Sequence, residues 1–253
     1  MTNRELWLSN SFTRSSIPAW QCPKCGMGSL QIYEVTDKKT KEKQPQLLAP
    51  FDISSERAWH RDQYPFPDGV FAAILCCTSC RDRIAVSGEW KTTEDYTEEG
   101  DQFSVSEFVP RMFTPPLHIF KIPSKTPKTI HKEVVAAFNV FWCDTASCLN
   151  RIRSAVEQFL THMRVPRKTP TGGFVNLDTR ITQYKVREPE LADHMMAVKW
   201  LGNAGSHPSN VKPKDALDGF DLLEHILTAK FSHVHAVSQT INRAKGPRKH
   251  RRK

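Results

Sequence analysis

No stretch of this sequence is apolar enough to cross a membrane as a helix. The longest unbroken apolar run, Val70 to Cys77, is eight residues, whereas a span needs about 20. The N-terminus, Met1 to Asn10, carries Arg4 and Glu5 and lacks the apolar core of a secretory signal. The expectation is a cytoplasmic protein without a membrane partner. Apolar residues are also sparse, at 39% of the chain. That suffices for one modest core and a metal-stapled module, and 253 residues make roughly one to two domains.

Acidic residues are missing from one place. Arg243 to Lys253 holds seven Lys/Arg and no Asp or Glu, so the net charge of +9 falls to +2 over the rest of the chain. The body is nearly neutral and the tail is the basic object. Such blocks are usually solvated, and often contact nucleic acid. Arg248, Lys249, Arg251, Arg252 and Lys253 are the candidate contacts with RNA or DNA.

Cysteine numbers seven, an odd count. In a reduced compartment, two C-x-x-C pairs read as metal ligands before they read as disulfides. Cys22-Pro23-Lys24-Cys25-Gly26 and Cys77-Thr78-Ser79-Cys80 each lie between β-rich runs. This internal repeat predicts one four-cysteine zinc site. Zinc takes four thiolates in a tetrahedron, and Gly26 allows the positive φ that such a turn often needs. Cys76 is an alternative partner for Cys80, but Cys77 copies the first spacing. With all four positions taken by protein, the zinc would be structural rather than catalytic. Thr36 to Gln46, charged and turn-rich, reads as a loop inserted between the two halves.

Prolines accumulate from Val109 to Lys128, which predicts a linker. Beyond it the apolar period becomes helical. Val134, Phe138, Phe141, Leu149, Ile152, Val156, Phe159 and Met163 predict one long helix, with a gap at Thr145. A short helix follows at Asn176 to Tyr184, another begins at Pro189, and a last one begins near Lys214 with Leu217, Phe220, Leu223, Leu227 and Phe231 on one stripe. The expected architecture is α+β multidomain: a four-Cys zinc ribbon at 1–108, a linker at 109–128, an all-α four-helix bundle at 129–236 and a basic tail at 237–253.

Lys199-Trp200-Leu201-Gly202-Asn203-Ala204-Gly205-Ser206-His207 stands out. Asn203 and His207 share a face if the helix persists; equally, Gly and Asn before Pro208 form a helix stop. The remaining histidines lack partners at metal spacing.

This segment, together with Leu149–Glu157, Leu177–Ile181 and Asp215–Leu217, resembles domain-of-unknown-function family four-one-four-five, which is placed with the HEPN helical superfamily. The likeness covers about residues 130 to 235, and an N-terminal zinc-ribbon-like segment is common in that family. The resemblance implies a four-helix HEPN-like domain, often dimeric, from a group rich in ribonucleases and RNA-binding parts of prokaryotic defence systems. His207 and Asn203 match two residues of the HEPN catalytic motif. Its arginine position is Gly202, which cannot stabilise phosphorane charge. Lys199 and Arg153 are candidate substitutes, and Arg153 with Glu157 is an i,i+4 pair that could orient His207. The expected function is a zinc-binding, non-catalytic module for nucleic-acid binding or dimerisation, in defence against foreign nucleic acid. The alternatives are a metal-independent endoribonuclease centred on His207 and a protein-interaction subunit without nucleic-acid contact.

Overall fold

The computed structural model describes residues 4–9, 11–48, 69–96, 100, 102–205 and 211–232. The chain divides into two compact units: Met1–Ile119 with Val135–Cys148, and Phe120–Val134 with Leu149–Lys253.

The first unit is built on a five-stranded antiparallel sheet that curls into a half-barrel. Its strands are β1 (Leu30–Ile32), β4 (Leu47–Leu48), β5 (Gly69–Cys77), β6 (Arg83–Tyr96) and β7 (Gln102–Thr114). Both β1 and β4 lie along β5, and β6 and β7 follow in order. A separate two-stranded pair, β2 (Glu34–Thr36) with β3 (Lys43–Pro45), interrupts the edge. The expected simple zinc ribbon is therefore corrected: the cysteines sit at the end of a larger sheet whose long strands reach 14 and 13 residues.

Proline misled the reading of β7. Val109 to Thr114, counted with the linker, are strand. Pro110 is tolerated because it lies at a bulge, where the register shifts between Ser87 and Gly88. A Cβ on Gly88 would meet the Val109 carbonyl at 2.1 Å, so the backbones close up there only around a glycine.

Buried aromatic rings form the core of this unit. Phe12, Phe71 and Phe108 pack together, and Trp20 stands edge-on to Phe12, Phe113 and Trp142 at 5.3–5.9 Å. Trp142 explains why Val135–Cys148 belongs to this unit. Its ring also lies 5.0 Å from Phe113 and 6.1 Å from Trp7, the buried residue of the short helix α1 (Arg4–Leu8).

Six helices are present among the described residues, so the expected four-helix bundle is also corrected. The long first helix is two: α2 (Lys128–Val140) and α3 (Thr145–His162). Asp144 makes the break. Its carboxylate accepts the Ser147 backbone N–H at 2.9 Å and the Ser147 hydroxyl at 2.5 Å, an N-cap on α3. The apolar stripe continues across the break, which is why its spacing reads as unbroken.

In the second unit, α4 (Leu177–Lys185) starts at Asn176, whose side chain accepts the Thr179 N–H at 2.9 Å. Pro189 opens α5 (Pro189–Ala204), and Pro213 opens α6 (Pro213–Phe231). Leu191, Met195 and Val198 of α5 and Leu217, Phe220, Leu223 and Leu227 of α6 are buried, as a helical stripe requires. Arg180 is buried too. It donates to the Glu157 and Val165 carbonyls and to the Thr161 hydroxyl, so it ties α4 to the end of α3.

Candidate metal centre

Two turns of like geometry carry the four cysteines. In the first, the Gly26 N–H donates to the Cys22 carbonyl at 2.9 Å, and Gly26 has φ +65°. In the second, the Arg81 N–H donates to the Cys77 carbonyl at 3.2 Å, and Arg81, at the same offset, has φ +62°. The turns are laced together by the Thr78 N–H on the Ser29 carbonyl and by a Lys24–Asp82 ion pair at 2.9 Å.

The sulfurs converge across the turns. Cys22 Sγ is 3.7 Å from Cys80 Sγ, Cys25 Sγ is 3.6 Å from Cys77 Sγ, and all four lie within 4.8 Å of one another. A tetrahedron with metal–sulfur bonds of about 2.3 Å has edges of about 3.8 Å. The set therefore matches a metal ion held by four thiolates. Backbone N–H groups face the sulfur of Cys77, from Ser79 at 3.3 Å and Cys80 at 3.4 Å. Around Cys25, the N–H groups of Gly28 and then Met27 pull the thiol down to about 6, whereas Cys80, despite the Asp82 N–H, is pushed up to about 12 by burial and the three neighbouring sulfurs. Donors of this kind favour the thiolate that a metal needs.

Cys76 is not part of the set. Successive side chains of a strand point to opposite faces, so Cys76 turns away and its Sγ lies 3.6 Å from the Arg81 carbonyl. One determinant escaped the sequence reading. A Cβ on Gly28 would lie 2.4 Å from Cys77 Sγ and 2.8 Å from Ser79, so the second turn needs a glycine in the first. The only signal for it in the sequence is its place three residues after Cys25.

The other candidates are scattered or undescribed. His207 and the basic tail lie outside the described residues. Asn203 is exposed on the last turn of α5. Gly202 is buried against Arg153, and a Cβ there would meet Arg153 Cδ at 2.9 Å and Cβ at 3.0 Å. Arg153 pairs with Glu157 at 3.5 Å, and its Nε is buried without a hydrogen-bond partner among the described residues. Lys199 is engaged by Asp178 at 2.5 Å. Of the remaining histidines, His194 and His225 bring their rings together, with centroids 4.5 Å apart.

Residues 135–249 match the family model described as Domain of unknown function (DUF4145), and residues 10–118 match the one described as Domain of unknown function (DUF8608). No curated protein and no solved structure matches the chain. No helix among the described residues is long and apolar enough to cross a membrane.

Proposed function

We propose that this is a zinc-stabilised protein that binds nucleic acid without cleaving it. The HEPN relationship of the DUF4145 segment is part of the same reading and supplies its setting, defence against foreign nucleic acid. The observation that carries it is a separation of roles along the chain. The metal-type cluster is closed by four protein sulfurs, while seven of the nine net positive charges lie in Arg243–Lys253. Four thiolates leave no open position for water or substrate, so the zinc contributes folding energy, on the order of 10 kcal/mol in small modules. The tail contributes phosphate contacts.

Gly202 supports binding over cleavage. RNA cleavage without a metal needs a cation for the developing phosphorane charge, and at this position even a methyl group meets the Arg153 stem. A second reading, in which Arg153 supplies the missing cation to an endoribonuclease centred on His207, draws on the buried Arg153 Nε, which has no hydrogen-bond partner among the described residues.

Three measurements test these statements. Purified protein is expected to hold about one zinc per chain, since one tetrahedral site takes one ion; folded protein free of zinc overturns the metal assignment. RNA incubated with the protein in chelator is expected to stay intact. Cleavage that disappears in His207→Ala establishes the nuclease reading instead. Binding to RNA and DNA is expected to weaken with salt and on removal of 243–253. Absence of any nucleic-acid binding leaves the protein-interaction reading, with a second copy of the chain as the first partner to test.

A further inference from the structure

The segment between the two cysteine turns is not a plain loop. At Tyr33 the chain leaves the edge of β5, and at Gln46 it returns: the Tyr33 N–H donates to the Ile74 carbonyl, and the Ile74 N–H donates to the Gln46 carbonyl. Between these points β2 and β3 pair only with each other, with Glu34 opposite Pro45 and Thr36 opposite Lys43. Every residue from Glu34 to Gln46 is exposed. A two-stranded pair with no buried face gains nothing from packing and is marginal by itself. What holds it is its base and its tip. At the base the Gln46 N–H donates to the Tyr33 carbonyl at 2.8 Å, and Arg83 lies over the Tyr33 ring at 4.3 Å with its Nη2 donating to the phenol oxygen. At the tip Asp37 accepts the N–H groups of Lys39 and Thr40 at 2.7 and 2.8 Å.

The tip is basic. Lys38, Lys39 and Lys41 stand there exposed, and none has a carboxylate within ion-pair distance among the described residues. Lys43, further down, is the one paired with an acid, Glu34 at 3.8 Å. The hairpin turn thus offers three ammonium groups without an ion-pair partner among the described residues, against the two carboxylates of Asp37 and Glu42 in the same turn.

We propose that the arm Glu34–Pro45 inserts into the major groove of duplex DNA, with Lys38, Lys39 and Lys41 on the flanking phosphates. This rests on the nucleic-acid reading above but uses a different part of the chain from the tail. The fit is geometric. Paired strands lie about 4.8 Å apart and rise about 3.4 Å per residue, so four residues from Tyr33 to Asp37 project roughly 13 Å. The major groove of B-form DNA is about 12 Å wide and 8.5 Å deep and admits a two-stranded β-element. The major groove of A-form RNA is deep and narrow and does not.

The test uses the full chain with zinc bound, a fluorescent DNA duplex and an RNA duplex of matching sequence, titrated over a salt series. The variant is Lys38→Ser with Lys39→Ser and Lys41→Asn; asparagine suits the left-handed backbone at residue 41, where φ is +63°. It is compared with a chain lacking 243–253. Each lost phosphate contact flattens the slope of log K against log salt by about 0.9, so the triple variant is expected to flatten it by about 2 to 3 and to bind DNA more weakly. Unchanged zinc content and circular dichroism exclude unfolding as the cause. If the chain binds DNA and the triple variant keeps both affinity and slope, the arm proposal is overturned while the nucleic-acid reading stands. Equal losses on DNA and RNA duplexes overturn insertion into the major groove. A chain that binds no nucleic acid overturns both.

Discussion

A methyl group on residue 28 would occupy the space of a ligand sulfur, 2.4 Å from Cys77 Sγ. Gly28→Ala is therefore expected to cut metal stoichiometry and thermal stability together, as read by metal analysis and a melting curve. Gly26 is the contrast. It has φ +65° with nothing within 4 Å of a Cβ, so Gly26→Ala is expected to cost about 1–2 kcal/mol of backbone strain and to keep the metal. The adjacent cysteines separate just as sharply. Cys77→Ser should lose the metal and Cys76→Ser should retain it, because strand alternation turns Cys76 away from the cluster. Away from the site, Cys143 is exposed and Cys148 is buried, and burial pushes the Cys148 thiol up. Alkylation of the native protein should modify Cys143 and spare Cys148.

Among the elements, α3 owes its start to one side chain. Hydrogen bonds from the Ser147 hydroxyl and N–H hold the Asp144 carboxyl below its usual range. The contribution to stability is present above the unfolded pKa and is lost as pH falls through the folded one. Asp144→Ala is expected to cost about 1 kcal/mol at neutral pH, with the gap between variant and parent closing in acid; urea midpoints across pH measure it. Tyr184 on α4 titrates the other way. Burial, and then the nearby Glu188 charge, push its phenol up to about 12. Its contribution is complete below pH about 10 and is lost as pH rises from about 10 to 12. Parent and Tyr184→Phe should therefore diverge only in that window.

For the whole molecule, the division into units makes a prediction that chain order would not. Val135–Cys148 belongs with the sheet, and Trp142 stands among Trp7, Trp20 and Phe113. Stripping the metal with a chelator should raise hydrogen exchange in 135–148 along with 20–36 and 71–86, and should change tryptophan fluorescence. Peptides from α4 to α6 should keep their protection. Equal loss everywhere would show that the metal holds both units.

The spacing of the sequence by itself determined the features that depend on neighbours along the chain. Two C-x-x-C turns, Gly26 at a positive φ and the stripes of α5 and α6 all follow from residues three or four apart, where backbone geometry alone sets who can meet. Tertiary structure decided whatever depends on distant residues. Cys77 is separated from Cys76 by the face of a strand paired with β1 and β6, and Gly28 is required by a sulfur that arrives 49 residues later. Pro110 sits within a strand because Gly88 opens a bulge for it, which proline content read alone turns into a linker. The exposed pair β2–β3 exists because β5 is already occupied on either side of Ile74, so the chain between has only itself to pair with.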